Sequence, residues 1–255
     1  MTTESILLIE NHDGVVTLTL NRPAQFNALS TGLLTALQTA LEKVGADQTA
    51  RVVVIVGAGK AFCAGHDLKQ MRANHEKSYM QQLFKQCGRV MTLLTELPQP
   101  VIARVQGVAT AAGCQLVASC DLAVAADVAK FAVSGINAGL FCSTPAVALS
   151  RNMGRKPALE MLLTGDFIDA AEAQRRGLVN RVVPAEQLDA EVQKLTDSIR
   201  AKSPDAIAMG KQLFYRQLEM GLAGAYQLAA ETMACNMMTA DAEAGIDGFM
   251  NKRKT

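Results

Sequence analysis

Apolar positions along the chain change period several times. The runs "SILLIE" (5–10) and "VVTLTL" (15–20) are short and β-branched and flank "NHDG", which is hairpin chemistry. After the polar turn "NRPAQFNALS", Leu33, Leu34, Leu37, Leu41 and Val44 recur at helical spacing behind Ser30, a residue suited to cap a helix. "RVVVIVG" (51–57), "PVIARVQG" (100–107) and "DLAVAA" (121–126) read as buried strands. Segments 67–97 and 111–120 between them read as helices. Strands alternating with helices predict an α/β core with parallel pairing.

From about residue 143 the pattern is mostly helical, broken by "MGRKP", "LTGD", "RRGLVNRVVP" and "KSPD". Pro184 and Pro204 are placed as first-turn prolines of the helices that follow. Segment 205–250 reads as nearly continuous helix rich in Ala, Leu and Met, needing a surface to cover. No short repeat and no low-complexity segment interrupts the chain.

Length and charge narrow the class. A chain of 255 residues can bury a substantial core, and 25 basic against 24 acidic residues leave a net charge of +1. That balance gives no electrostatic reason to expect nucleic acid or an anionic membrane as partner. "MTTESILLIENHDG" lacks a basic region ahead of an apolar stretch, so no signal peptide is expected. Gln115, Asp121, Asp127 and Lys130 interrupt the apolar run 105–133, which excludes it as a membrane span. Six scattered cysteines without a CxxC pair predict reduced thiols and a cytoplasmic location. His12, His66 and His75 form no metal-ligand spacing, so no metal is expected.

Two nucleotide motifs fail. "VVVIVGAGKAFCAGHD" (52–67) begins like a dinucleotide fingerprint, but Phe62 stands where the third glycine is needed. Lys60 has the wrong spacing for a phosphate loop. What remains is a glycine-rich turn, or a loop whose backbone approaches a ligand at Ala64-Gly65-His66.

The stretch "GVATAAGCQLVASCD" (107–121) is built from very small side chains ahead of a helix start. Such residues admit another backbone or a thin ligand, and the first turn offers N–H groups without intrahelical partners. Were the N–H groups of His66 and Ala112 to converge, they would stabilise an oxygen gaining negative charge. A tightly packed helix entry is the alternative.

The blocks "NRPAQFNALS", "GKAFCAGHDLKQM", "ARVQGVATAAGCQLVASCDLAVAADVAKFAV", "ALEMLLTGDFIDAAEAQRRGLVNRVVP" and "GFMNKRKT" together resemble the crotonase, or enoyl-CoA hydratase/isomerase, superfamily from about residue 5 onward. The resemblance implies an α/β fold: a ββα spiral core that binds acyl-CoA (1–195) and a C-terminal helical trimerisation region (196–255). It implies a homotrimer or dimer of trimers and an acyl-CoA thioester substrate, CoA being part of the substrate and no cofactor being needed. The thioester oxygen would lie between the N–H groups of His66 and Ala112. Further substrate contacts would come from Arg22 and Ala24, from Ala64, Gly65, Asp67 and Leu68, from Ala111 and Gly113, and from Lys252 in a terminal basic cluster with Arg253 and Lys254. Asp67 also suits a helix cap. Segment 31–46 carries only Lys43, so the RNA binding known for one family member is not expected.

In hydratases that look like this chain, two glutamates act as acid and base. Their positions here hold Gln115 and Gly135. A neutral amide accepts no proton near pH 7, and glycine offers no group at all. Standard hydration is therefore poorly supported. Decarboxylation or thioester hydrolysis using His66 or water is one alternative. "AGHD" resembles the methylmalonyl-CoA decarboxylase branch, although Leu140 and Phe141 stand where that branch has a tyrosine. A non-catalytic acyl-CoA-binding or assembly protein is the other. Ser134, Asn137 and Cys142 are candidates to line the acyl pocket or simply to pack, and Cys63 and Cys114 flank the oxyanion position.

Overall fold

A computed structural model describes residues 5–252. Strands β1 (Leu7–His12) and β2 (Val15–Leu20) form the expected antiparallel hairpin, with Leu7 opposite Leu20 and His12 opposite Val15. The linking Asp13 and Gly14 both take positive φ, 50° and 81°, the two-residue geometry whose twist matches paired strands. Helix α1 (Thr31–Ala46) follows, with Ser30 Oγ accepting from the Leu33 N–H at 3.2 Å. It buries the predicted leucines and leads to β3 (Val52–Gly57), which pairs parallel with β2.

The helix expected over 67–97 is two helices, α2 (Leu68–Ala73) and α3 (Lys77–Glu96). The break has a local cause. Residues 72–78 are all exposed and bring no apolar group to the core, and Asn74 Nδ2 donates back to the Gln70 carbonyl at 2.9 Å, competing with helix propagation.

The chain continues through β4 (Val101–Val105), β5 (Ala109–Thr110), α4 (Ala112–Ser119), β6 (Leu122–Ala126) and β7 (Lys130–Ala132). Next come α5 (Ser143–Asn152), α6 (Arg155–Thr164), β8 (Ile168–Asp169), α7 (Ala170–Arg175), β9 (Arg181–Val183) and α8 (Leu188–Arg200). Six strands build one sheet in the order β1-β2-β3-β4-β6-β9, parallel beyond the hairpin. β5, β7 and β8 build a second, smaller sheet. From β4 to β7 the chain alternates between the two sheets, and β8 stays in the smaller one before β9 returns to the larger, the spiral implied by the resemblance. Both faces of the large sheet are buried. Val53 and Ile55 join the main core with α1, α3 and α4, while Val52 and Val54 pack with Leu188 and Val192 of α8. Continuous apolar runs in the parallel strands follow from that double burial.

The C-terminal stretch is three helices, α9 (Pro204–Gln217), α10 (Leu222–Met237) and α11 (Ala240–Lys252), not one nearly continuous helix. Pro204 takes the expected first position of α9, and Ser203 Oγ caps it, accepting from the Ala206 N–H at 3.3 Å. Pro184 instead precedes a short 3-10 turn, Ala185–Gln187, that leads into α8. Phe214, Leu218, Leu222, Tyr226 and Met233 of this region are exposed in the single chain. Among the described residues, no helix is long and apolar enough to cross a membrane.

Candidate active site

Two segments distant in sequence cross at the candidate site. The N–H groups of Phe62 and Cys63 both donate to the Val108 carbonyl (3.0 and 3.1 Å), and the Thr110 N–H donates to the Cys63 carbonyl (3.0 Å). A third segment joins them: Ala64 N–H donates to Phe26 O (3.0 Å), Leu29 N–H to Gly65 O (2.7 Å) and Asp67 N–H to Leu29 O (3.2 Å).

The small residues at the crossing have a steric reason. A Cβ added to Gly113 would lie 2.1 Å from the Cys63 carbonyl oxygen, and one added to Gly65 would lie 2.9 Å from Ala111 Cβ and 3.2 Å from the Ala112 nitrogen. Gly65 also takes a φ of +93°, open to glycine at little cost. The segments bearing His66 and Ala112 are therefore in contact. Ala112 is the first residue of α4, so its N–H has no intrahelical acceptor. Neither it nor the His66 N–H donates a hydrogen bond to any described residue.

Ala111, just ahead of that amide, sits at φ 50°, ψ −121°, a conformation that costs an alanine about 1–3 kcal/mol. Two hydrogen bonds hold it: Ala111 N–H to Ala132 O and Gln115 N–H to Ala111 O, each 3.0 Å. The frame has a further hub that its sequence did not single out. Asn27 is wholly buried, also at positive φ (57°). Its Nδ2 donates to the carbonyls of Ala58 and Ala61 at 2.8 Å, and its Oδ1 accepts from the Arg22 N–H at 3.0 Å. The only sequence signal for it was a polar residue within "NRPAQFNALS".

Arg22 turns inward. Its guanidinium meets Asp67 Oδ2 at 2.8 Å and the Ala28 carbonyl at 2.5 Å. Burial alone would raise the Asp67 carboxyl, but Arg22 and the main-chain donors of α2 hold it below its ordinary value. Asp67 caps α2 as expected, with Oδ1 accepting from the Gln70 N–H at 3.1 Å. Ala24 and Leu68 are exposed nearby. The Lys252 side chain, Arg253 and Lys254 lie outside the described residues.

Gln115 and Gly135, the two positions expected to match the family glutamates, have different surroundings. Gln115 lies buried on α4, and its Oε1 is shielded without a hydrogen-bond partner. At Gly135 no side chain fits: a Cβ there would stand 2.7 Å from Cys142 Sγ and 2.7 Å from the Leu140 carbonyl oxygen. Next to it, the Ser134 and Thr110 hydroxyls are 2.9 Å apart, and Asn137 Nδ2 reaches the Gly165 carbonyl at 3.5 Å.

The His66 ring packs edge-on against Phe84 of α3, with centroids 5.4 Å apart. Both ring nitrogens are shielded from solvent, and the Leu29 main chain is the one polar group that acts on the ring, too loosely placed for a well-formed hydrogen bond. Burial lowers the imidazole pKa, partly opposed by the Leu29 main chain, so the ring is neutral at pH 7. Burial pushes the thiols of Cys63 and Cys114 up to about 12, which removes thiolate chemistry from the crossing. Among the described residues no group of three His, Cys, Asp or Glu is placed to hold a metal ion.

A two-sheet spiral that sets a free loop amide against a helix start defines a class, and comparison with known proteins agrees. The sequence model of the family described as Enoyl-CoA hydratase/isomerase matches residues 10–255. The chain is 46% identical over 242 residues to mouse Enoyl-CoA hydratase domain-containing protein 3, mitochondrial, covering 95% of this chain and 81% of that protein. The Xenopus laevis protein of the same name is 45% identical, with 98% and 85% covered. A crystal structure of enoyl-CoA hydratase from Mycobacterium smegmatis superposes with a TM-score of 0.97 at 57% identity, covering 98% of this chain and 97% of that one. Human enoyl Coenzyme A hydratase domain-containing protein 3 gives 0.94 at 41%, covering 97% and 98%. The chain belongs to the enoyl-CoA hydratase/isomerase family, the crotonase superfamily.

One expectation is corrected here. The cytoplasmic location drawn from scattered cysteines and the first residues is overturned by the mouse and Xenopus relatives, both named mitochondrial. Reduced cysteines report a redox environment, which several compartments share.

Proposed function

We propose that this chain binds an acyl-CoA thioester, places the carbonyl oxygen between the His66 and Ala112 N–H groups, and stabilises an enolate without a carboxylate pair. The observation that carries this reading is the pair of undonated amides on two segments that touch at Gly65. Preorganised donors of this kind act on charge that develops during reaction. Arg22, Ala24, Ala64, Gly65, Asp67, Leu68, Ala111, Gly113 and Lys252 are the proposed substrate contacts. Arg22 acts there through Asp67 and the 22–29 turn, since its guanidinium is engaged.

Hydration needs a proton acceptor and donor near the acyl α- and β-carbons. Gln115 supplies neither and Gly135 has no side chain, so the contribution of general acid–base catalysis, about 10²–10⁴-fold, is missing. Crotonyl-CoA hydration, followed through loss of the conjugated thioester absorbance, is expected to be slower than in glutamate-bearing relatives by that order. Turnover matching theirs overturns the reading.

A second reading, decarboxylation or thioester hydrolysis through His66 or water, is favoured by one feature: the neutral imidazole is tied to no other side chain and stands beside the proposed oxyanion position. A screen of malonyl- and methylmalonyl-CoA tests it, and activity unchanged in His66→Ala excludes the ring. The exposed apolar side chains of α9 and α10 support assembly into a homotrimer or dimer of trimers, which light scattering against the 27.1 kDa chain mass decides.

A further inference from the structure

The direction of the His66 N–H is set by the peptide it belongs to. It shares one planar trans unit with the Gly65 carbonyl, so the two groups point opposite ways. The Gly65 carbonyl accepts from the Leu29 N–H at 2.7 Å, which turns the His66 N–H away from Leu29. Gly65 itself, at φ +93°, has too much backbone freedom to fix that peptide alone. The contact is a single parallel rung between Leu29 and His66 outside both sheets, with no run of strand pairs beside it to brace it.

One peptide further back the same relation holds. The Leu29 N–H shares its planar unit with the Ala28 carbonyl, and that carbonyl accepts from Arg22 Nη1 at 2.5 Å. Three groups therefore stand in line: the guanidinium, the Ala28–Leu29 peptide and the Gly65–His66 peptide. Hydrogen bonds in such a chain polarise one another, by about 10–30% per bond. This chain starts at a cation and ends at the N–H proposed to meet the thioester oxygen. Arg22 Nη2 bonds Asp67 Oδ2 at 2.8 Å, directly after His66, so one side chain grips both sides of the rung. Asp67 N–H adds the return bond to the Leu29 carbonyl at 3.2 Å. Both charged side chains are largely covered, at 17% and 14% exposure, where salt screens them little.

We infer that Arg22 is a positioning residue: through the Ala28–Leu29 and Gly65–His66 peptides it orients and polarises the His66 N–H, without touching the ligand itself. This rests on the acyl-CoA reading given above and on the carbonyl placement within it.

Infrared difference spectroscopy of the full chain saturated with butyryl-CoA, isotope-labelled at the carbonyl carbon, tests it, because hydrogen bonds to that oxygen lower its stretching frequency. In the parent chain the frequency should lie below that of the free thioester in water. Arg22→Met should move it back toward the water value. It should also weaken butyryl-CoA roughly tenfold in calorimetry, as expected for one hydrogen bond, with a smaller loss for free coenzyme A, which has no carbonyl to grip. Asp67→Asn serves if that variant fails to fold. Asparagine caps a helix as well as aspartate does but lacks the charge that holds the guanidinium, so the frequency should move the same way. A lowered frequency that survives both substitutions overturns the inference and leaves the carbonyl placement standing. Equal losses for coenzyme A and butyryl-CoA in Arg22→Met, with the frequency unmoved, make Arg22 a ligand contact and overturn it too. A parent frequency no lower than in water removes the carbonyl placement, and this inference with it.

Discussion

Lys211 Nζ lies 2.6 Å from Asp121 Oδ2, and both side chains are almost sealed from solvent, at 7% and 14% exposure. Lys211 belongs to α9, and Asp121 lies between α4 and β6. The ammonium also donates to the carbonyls of Leu94 (2.7 Å) and Gln99 (2.9 Å), which uses all three of its protons. The carboxylate accepts in addition from the Val101 N–H (2.6 Å) and the Tyr215 hydroxyl (2.7 Å). Burial lowers the Lys211 pKa, and Asp121 works against that shift. Burial, then the Asp121 charge, raises that of Tyr215. The C-terminal helices are thus clamped to the core by a fully bonded pair.

Removing one member leaves the other charged and unpaired in the interior, an effect of about 3–5 kcal/mol. Asp121→Ala should lower stability by that order in urea denaturation. Tyr215→Phe, which removes one hydrogen bond, should lower it by roughly 1–3 kcal/mol. A loss in Asp121→Ala no larger than in Tyr215→Phe contradicts the clamp.

Position 135 has no room for a glutamate. A Cβ there meets Cys142 Sγ and the Leu140 carbonyl, each at 2.7 Å, and overpacking of this kind costs about 1–3 kcal/mol. Gly135→Glu should be destabilised by that order and gain no hydratase turnover. Adding Cys142→Ala should recover only part of the stability, because the carbonyl remains.

His66 makes stability sensitive to acid. Its folded-state pKa lies below the ordinary 6.5, so the unfolded chain takes up the proton more readily. The contribution is complete above about pH 6.5 and is lost as pH falls from there toward the folded-state value. His66→Gln should therefore show a smaller loss of urea midpoint between pH 7.5 and 5.5 than the parent. An identical loss would mean that the ring is not held neutral by burial.

Cys63, Cys87 and Cys114 are buried, with thiols pushed up to about 12. Alkylation at pH 8 with peptide mapping should leave all three unlabelled in the folded protein and label them in urea. Labelling of Cys63 or Cys114 at the denatured rate would place solvent at the crossing.

Much of the fold was legible because its signals are local. The NHDG hairpin, the Ser30 and Asp67 caps and the doubly buried valines of β3 each follow from a few neighbouring residues. The break at Asn74 was missed because an apolar pattern on either side bridges a short polar gap, and only the lack of anything to bury between Arg72 and Ser78 ends α2. The site was partly legible. The small residues at 107–113 signalled close approach, but not that Gly113 faces the Cys63 carbonyl. Asn27 was invisible as a hub, since its partners, Ala58 and Ala61, lie more than thirty residues away. Arg22 illustrates the converse: its charge suggested a ligand contact, and only the fold reveals Asp67 across from it.

The His66 and Ala112 N–H groups, which we propose as oxyanion donors, belong to the main chain, held by glycine-mediated contact and carbonyl acceptors and not by any side chain of their own. Drift in the surrounding residues can therefore rewrite which reaction follows without dismantling the cradle for the charge. In this chain the main-chain frame stands with an amide at 115 and a closed space at 135, so the frame itself does not depend on a carboxylate at either position.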